Sequence, residues 1–376
     1  MGFLQPFQQK NAAQNTPASG TAPKQKINSL QGLRAVAFLA IFISHSRLGQ
    51  FGCLGAWGVS VFFVLSGFLM IINYYPREKQ PAFGWRFSWN KIKLLYPLHL
   101  ITMLFSVVFA LLSGLSPKKT ALDMVLHSFF LQIWIPNERY YATLNGPSWY
   151  LCVSLFCYLC FPLILRFFKR QIHTKKHAVH GMLLLFSIEL ILSGLAFFLH
   201  RHDSTAWFNT QWITYYCPPV RLIDYMLGCF LGAFYLFCDQ TPLRRKSGFW
   251  ISCITLVFII LSLYVYYRTE ALPPIKSVKY TLLFLPTSLL LIWTLLDPSG
   301  FVARLFSCPI LVALGNLSPY TFLIHAVIIK FAYWGLPGLA ADSASLVVLF
   351  SFLVTIGAAL LYRQTVNRRI SPCNRK

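Results

Sequence analysis

The chain has 376 residues, of which 56% are hydrophobic and only 11% charged, and its mean hydropathy is +0.58. So much apolar surface does not fit inside a water-facing shell, which excludes a soluble protein of two or three domains and puts most of the chain in lipid. Its 33 Lys and Arg against 10 Asp and Glu give a formal charge of +23; the location of these basic residues, in short loops between apolar runs, matters more than their sum and removes the need for a nucleic-acid partner.

Residues 1–26 are mostly Gln, Asn, Ala, Thr and Pro, with Lys10, Lys24 and Lys26. They lack the apolar middle of a secretory signal and read as a disordered cytoplasmic tail. Ten apolar runs follow, near 29–48, 56–75, 94–115, 147–168, 179–200, 217–237, 248–267, 277–296, 312–335 and 343–362. Crossing about 30 Å of hydrocarbon needs roughly 20 such residues. The runs lack the alternation of barrel strands, so the fold class is all-α, a polytopic transmembrane helical bundle of about ten spans. It occupies 27–362 and is followed by a basic cytoplasmic tail, 363–376. A weaker apolar piece at 121–135, carrying Asp123 and His127, reads as interfacial or re-entrant.

An ionised group at bilayer depth costs several kcal/mol unless it is paired or solvated, so charges inside spans are the candidate functional residues. In the first run Arg34 precedes His45 by eleven residues. Eleven steps of about 100° return a side chain to within about 20° of its starting azimuth, about 16 Å along the axis. Both then face one internal cavity, although an interfacial Arg and a hydrogen-bonded helix-end His would show the same spacing. Imidazole titrates near neutrality and suits proton transfer from a hydroxyl. His99 and His127 read as interfacial residues. Glu189 stands mid-span without an evident partner. Arg221 and Asp224, three apart in the sixth run, can pair with each other or bind substrate. His325 lies mid-span in the ninth run, as a catalytic or acyl-lining residue or a hydrogen-bonded one. Lys330, near the outer end, is placed to snorkel.

With the N-terminus inside, the inner segments hold 22 basic residues, among them Arg86, Lys91 and Lys93, and the outer segments hold 8. The asymmetry puts both termini in the cytoplasm. Nearly all of the ten cysteines sit in or beside apolar runs and read as small core residues; Cys157 and Cys160 form a C-x-x-C without a second pair at zinc spacing, so no metal is expected.

The segment from Ile27 to Met70 resembles the acyltransferase 3 family of membrane acyltransferases, which modify hydroxyls on cell-surface glycans and related molecules. The matching residues are Gly32-Leu33-Arg34-Ala35, the Arg34 to His45 interval, and Gly58-Val59-Ser60-Val61-Phe62-Phe63-Val64-Leu65-Ser66-Gly67-Phe68. Tyr96-Pro97, Ser148-Trp149-Tyr150-Leu151, Arg221 to Gly228, and Leu314-Gly315-Asn316-Leu317-Ser318 running on to His325 keep the family order. Leu94 stands where many members carry Arg, and Leu151-Cys152-Val153-Ser154 lacks the Glu that many carry there.

The resemblance implies an integral protein of the bacterial plasma membrane that transfers an acyl group, commonly acetyl, from cytoplasmic acyl-CoA to a hydroxyl of a surface or lipid-linked glycan. Arg34 would bind the donor's phosphates or acyl carbonyl, and Arg86, Lys91 and Lys93 further phosphates, although ordinary positive-inside anchors look the same. His45 would be the general base, and Arg221, Asp224 and His325 would line the substrate path. A glycan or small-molecule transporter or flippase is the alternative, since buried Arg, His and Asp also mark transport routes.

Overall fold

The computed structural model describes residues 27–48, 52–78, 81, 84–202, 211–238, 243–268 and 280–370. All regular elements among them are helical: α1 Asn28–His45, α2 Gly52–Tyr74, α3 Trp85–Ile92, α4 Tyr96–Leu112, α5 Pro117–Ser128, α6 Glu138–Tyr141, α7 Trp149–Gln171, α8 Lys175–His202, α9 Pro218–Phe237, α10 Leu243–Arg268, α11 Leu285–Leu295, α12 Phe301–Phe306, α13 Pro309–Gly335, α14 Pro337–Asp342 and α15 Ala344–Ile370. Proline opens α4, α5, α9, α11, α13 and α14 within the first two positions. There its missing N–H is an orphan donor anyway, and its fixed φ is already helical.

Seven helical segments are long and apolar enough to cross a membrane, and the protein is integral to it: Cys53–Tyr74, Gly146–Gln171, Lys175–Leu199, Trp212–Phe237, Phe249–Tyr266, Pro309–Gly335 and Ala344–Thr365. An eighth arises if α3 and α4, bent by 63° at Lys93 to Leu95, are one broken span. The two remaining sequence runs fall short for identifiable reasons. The polar residues Asn28, Ser29, Gln31, Arg34, Ser44 and His45 dilute α1, and Tyr280–Leu295 is too short. The piece at 121–135 is not a span: α5 and the turn Gln132–Trp134 pack on the bundle, burying Thr120, Asp123, His127 and Gln132. The expected N-terminal tail 1–26 and residues 371–376 lie outside the described residues. From 363 onward the expected C-terminal tail continues α15 as far as Ile370.

Burial divides the bundle into inner and lipid-facing helices. Most of the apolar window is covered in α2 (83%) but little in the span within α8 (17%), which exposes Leu183, Leu184 and Ile191. In water such surface would aggregate; in lipid it is the solvation layer.

The inner helices meet backbone to backbone at glycines. A Cβ on Gly67 would lie 1.8 Å from the Tyr225 carbonyl oxygen, and one on Gly228 1.9 Å from that of Val64. Gly315 approaches Gln31, and Gly32 approaches Phe306, equally closely. At the other end of the same pair the Tyr333 hydroxyl donates to the Ser46 carbonyl at 2.7 Å, so α1 and α13 run parallel. The pairing of Val64 with Gly228 and of Phe68 with Gly232 makes α2 and α9 parallel as well. Parallel neighbours require an odd number of crossings between them. That holds if the broken α3–α4 pair and the 280–295 helix each count as one crossing.

Pro319 stands inside α13, where it frees the carbonyl of Gly315. The Ser318 hydroxyl donates to that carbonyl at 2.8 Å, which satisfies it without water, as lipid requires.

Gly228→Ala drives a methyl into the backbone of α2, an overpacking that costs about 1–3 kcal/mol or more. Thermal unfolding of the purified protein in detergent should drop sharply for this variant. Gly194→Ala, where the new methyl meets nothing within 4 Å, should leave it almost unchanged; equal melting of the two would contradict the packing.

Candidate active site

α1 carries Arg34 and His45 on its inner side, but into two cavities rather than the single chamber that their spacing implies. The first, of about 190 Å³, is lined by Arg34, Ser66, Lys91, Tyr150, Tyr158 and Phe322 among others. The Nε of Arg34 is buried there without a hydrogen-bond partner, so the guanidinium retains a donor for a ligand. Lys91 donates to the Tyr74 hydroxyl at 2.7 Å and lies over the Tyr74 and Phe87 rings. Ser66 and Tyr158 are hydroxyl partners at 3.2 Å. Arg86 and Lys93 are exposed and do not line this cavity; of the three expected phosphate ligands besides Arg34, only Lys91 reaches it.

The second cavity, about 250 Å³, is lined by His45, Ser44, Trp149, Tyr215, Tyr216 and Tyr280 among others. Its tyrosines are delivered by two π-helical turns, Trp212–Tyr216 and Tyr280–Phe284, a wide turn that recurs where a helix must present side chains out of α register. Phe322 lines both cavities. Its ring packs against Phe62, Tyr150 and His325, so the boundary between the two spaces is aromatic.

His45 is exposed to its cavity, with Nδ1 2.8 Å from the Ile41 carbonyl oxygen. A carbonyl only accepts, so Nδ1 carries the proton and Nε2 of the neutral ring holds a lone pair, the tautomer a base needs. His325, fully buried, repeats the pattern: Nδ1 donates to the Phe322 carbonyl at 2.8 Å, and Nε2 is buried without a hydrogen-bond partner. The His45 and His325 rings meet edge to face at 5.1 Å between centroids.

Arg221 and Asp224 pair with each other at 2.5 Å, and neither lines these two cavities. Arg221 also donates through Nε to the Tyr215 carbonyl at 2.6 Å and lies over the Tyr215 ring. It thereby fixes a wall residue of the His45 cavity. Glu189, without an evident partner in sequence, is buried within electrostatic reach of the pair.

The sequence reading overlooked Tyr150, Tyr158, Tyr215, Tyr216, Tyr280 and Phe322. The dense aromatic run Trp212 to Tyr216 was the available signal; neither π turn has a marker of its own. His99 and His127 are fully enclosed by protein. His99 Nε2 donates to the His127 carbonyl at 3.0 Å, and His127 Nε2 donates to the Tyr140 carbonyl at 3.1 Å. They tie the segment between α4 and α7 together. Among the described residues no group of His, Cys, Asp and Glu could hold a metal ion.

Residues 27–363 match the model of a family described as an acyltransferase domain. The chain is 27% identical over 331 residues to acyltransferase MdmB of Streptomyces mycarofaciens, covering 82% of this chain and 80% of that protein. It is 26% identical to a Staphylococcus aureus protein described as an O-acetyltransferase, with 82% and 51% covered. It is 25% identical to peptidoglycan O-acetyltransferase OatA of Listeria monocytogenes, with 81% and 50% covered. The chain thus spans about half the length of the latter two. No solved structure matches the chain significantly.

Burial lowers the pKa of His127 from 6.5 to about 4. In the unfolded segment the ring binds a proton below pH 6.5, but in the folded one only below about 4. The stability it contributes is therefore full above pH 6.5 and lost progressively as pH falls towards 4, at roughly 1.4 kcal/mol per unit. Hydrogen exchange, corrected for intrinsic rates, should show the 127–148 amides losing protection between pH 7 and pH 5. That loss should be smaller in His127→Gln, and an identical pH response in the variant would show that another group is responsible.

Proposed function

The chain belongs to the acyltransferase 3 family, and on that premise we propose that it moves an acyl group, acetyl first among them, from acyl-CoA to a hydroxyl of a cell-surface or lipid-linked glycan. The observation that carries this reading is the arrangement along α1: a guanidinium with an unused buried donor in one cavity, and a base-form imidazole in the next. The chain has both termini in the cytoplasm of a bacterial plasma membrane on this reading, as the basic inner loops favour. The Arg34 cavity then opens towards the donor side and His45 towards the acceptor side. The names of the relatives, an acyltransferase and a peptidoglycan O-acetyltransferase, fit an envelope glycan as acceptor.

Coenzyme A is an anion with a long, flexible arm. Arg34, with five donors in a planar fork, and Lys91, as a point charge, hold its phosphates or polarise its acyl carbonyl. The acyl end passes along α1 beside Phe322 towards His45. His45 Nε2 takes the proton of the acceptor hydroxyl as that oxygen attacks the thioester carbonyl. The carbon–sulfur bond breaks, the ester forms, and the thiolate leaves with the proton returned to it. His325, in ring contact with His45, holds the imidazole in place. The Arg221–Asp224 pair acts through Tyr215 on the wall of the acceptor cavity, without itself touching substrate.

General-base catalysis contributes about 10²–10⁴-fold. His45→Ala should lower acetyl transfer by at least about 100-fold with unaltered folding and coenzyme A binding. Arg34→Ala should instead weaken coenzyme A binding. The measurement is acetylated glycan by mass spectrometry in cells lacking the gene and complemented with each variant, together with coenzyme A affinity of the purified proteins. Normal acylation by both variants would overturn the assignment.

A further inference from the structure

A third cavity, larger than either of the others at about 380 Å³, lies among α4, α5, α6 and the last third of α13. Its charged lining is Lys119, Arg139, Lys330 and Asp123, and it shares no residue with the Arg34 or His45 cavities.

None of these charges forms an ion pair with another, although Arg139 acts on Asp123 through space. The only ion pair within 4 Å among the described residues is Arg221 with Asp224. Asp123 is 7% exposed, and its Oδ1 is buried with no hydrogen-bond partner. A buried acceptor left unmade costs about 1–3 kcal/mol. Lys330 is held in place by donating to the Leu144 carbonyl at 2.7 Å, which uses one of its three donors. Leu144 has φ +49°, a left-handed conformation that costs a side-chain-bearing residue roughly 1–2 kcal/mol. The chain thus keeps a strained turn whose carbonyl fixes an ammonium at the edge of a polar cavity, as strained backbone at ligand sites does.

Three cations and one carboxyl leave a surplus of positive charge, while the orphaned Asp123 oxygen asks for a hydroxyl or amide donor. A ligand that answers both is small, anionic and hydroxyl-bearing, and the volume falls in the range of small-molecule sites. Lys330 stands five residues beyond His325 on α13, about 7.5 Å along the axis. His325 touches His45, and Tyr333 of the same helix bonds Ser46. The cavity therefore lies at the same end of the bundle as the imidazole.

We propose that this cavity anchors the acyl acceptor, and that the acceptor is a sugar bearing a fixed negative charge, a carboxylate or a phosphate ester, whose hydroxyl is donated to Asp123. The proposal takes its purpose from the acyl-transfer reading, but the binding can be measured without it. Lys119 and Arg139 meet the anion from the exposed rim, and Lys330 meets it from within. This leaves a neighbouring hydroxyl of the bound chain to reach His45.

The test uses the full chain in lipid nanodiscs, with methyl glucuronide, glucose 6-phosphate and neutral methyl glucoside as probes, titrated by saturation-transfer NMR. At least one anionic sugar should bind about tenfold or more tighter than the glucoside, and the better of the two names the carboxylate or the phosphate as source. Lys119→Gln/Arg139→Gln, at exposed side chains that the fold does not need, should reduce that affinity by about tenfold or more without changing coenzyme A binding. Asp123→Asn should weaken all three sugars. Equal affinity for charged and neutral sugars, no binding of either anionic sugar, or an unaffected double variant overturns the proposal. Failure of coenzyme A to bind the unaltered protein would count against the acyl-transfer reading instead, and would leave the sugar result standing.

Discussion

The contact on which the rest of the molecule depends is the meeting of helix backbones at glycines: α2 against α9 at Gly67 and Gly228, α1 against α13 at Gly315, and α1 against the end of α12 at Gly32. Lipid gives no hydrophobic reward for bringing two helices together, so van der Waals contact at small residues has to supply it. Two consequences follow. The parallel α1 and α13 put His45 and His325 ring to ring, and the seating of α2 on α9 carries Ser66 and Phe62 into the wall of the Arg34 cavity. Residues far apart in the chain become neighbours because no side chain separates their backbones.

Within this frame the buried charges are treated in two ways. Arg221 and Asp224 satisfy each other deep in the bundle, and removing either partner would leave the other an uncompensated charge, a change worth several kcal/mol. Arg34, Asp123 and Lys330 have no ion partner among the described residues, and all three line cavities. Glu189, buried beside the pair and outside these cavities, is the exception; elsewhere unpaired charge collects where a ligand or water can reach it. That contrast separates residues that hold structure from residues placed to meet something outside the chain.

Much of this was legible in the sequence. Apolar runs of sufficient length identified the spans, because a helix in lipid must be apolar over its whole length. The eleven-residue interval put Arg34 and His45 on one side of α1, because helical periodicity fixes azimuth. Azimuth does not fix continuity of space, and the ring of Phe322, nearly 280 residues further on, divides what spacing presents as one chamber. The enclosure of His99 and His127 was not legible, because a polar residue at the end of an apolar run is usually solvated. Here the fold-back of α5 encloses both rings and gives their N–H groups backbone carbonyls. Lys91 was not told from Arg86 and Lys93 in one basic cluster; on α3 Arg86 and Lys91 stand about 140° apart in azimuth, so Lys91 reaches the cavity while Arg86, and Lys93 at the bend, stay outside.

The aromatic boundary has one more consequence. A membrane protein with polar recesses entering from both sides is in danger of becoming a wire for protons, and a cell that stores energy as an ion gradient could not carry many copies of it. Phe322, wedged between Phe62 and Tyr150, interrupts the polar path with a surface that offers no relay. On the proposed orientation, the same ring that a passing acyl group would slide along would also act as insulation, keeping the two aqueous compartments electrically apart.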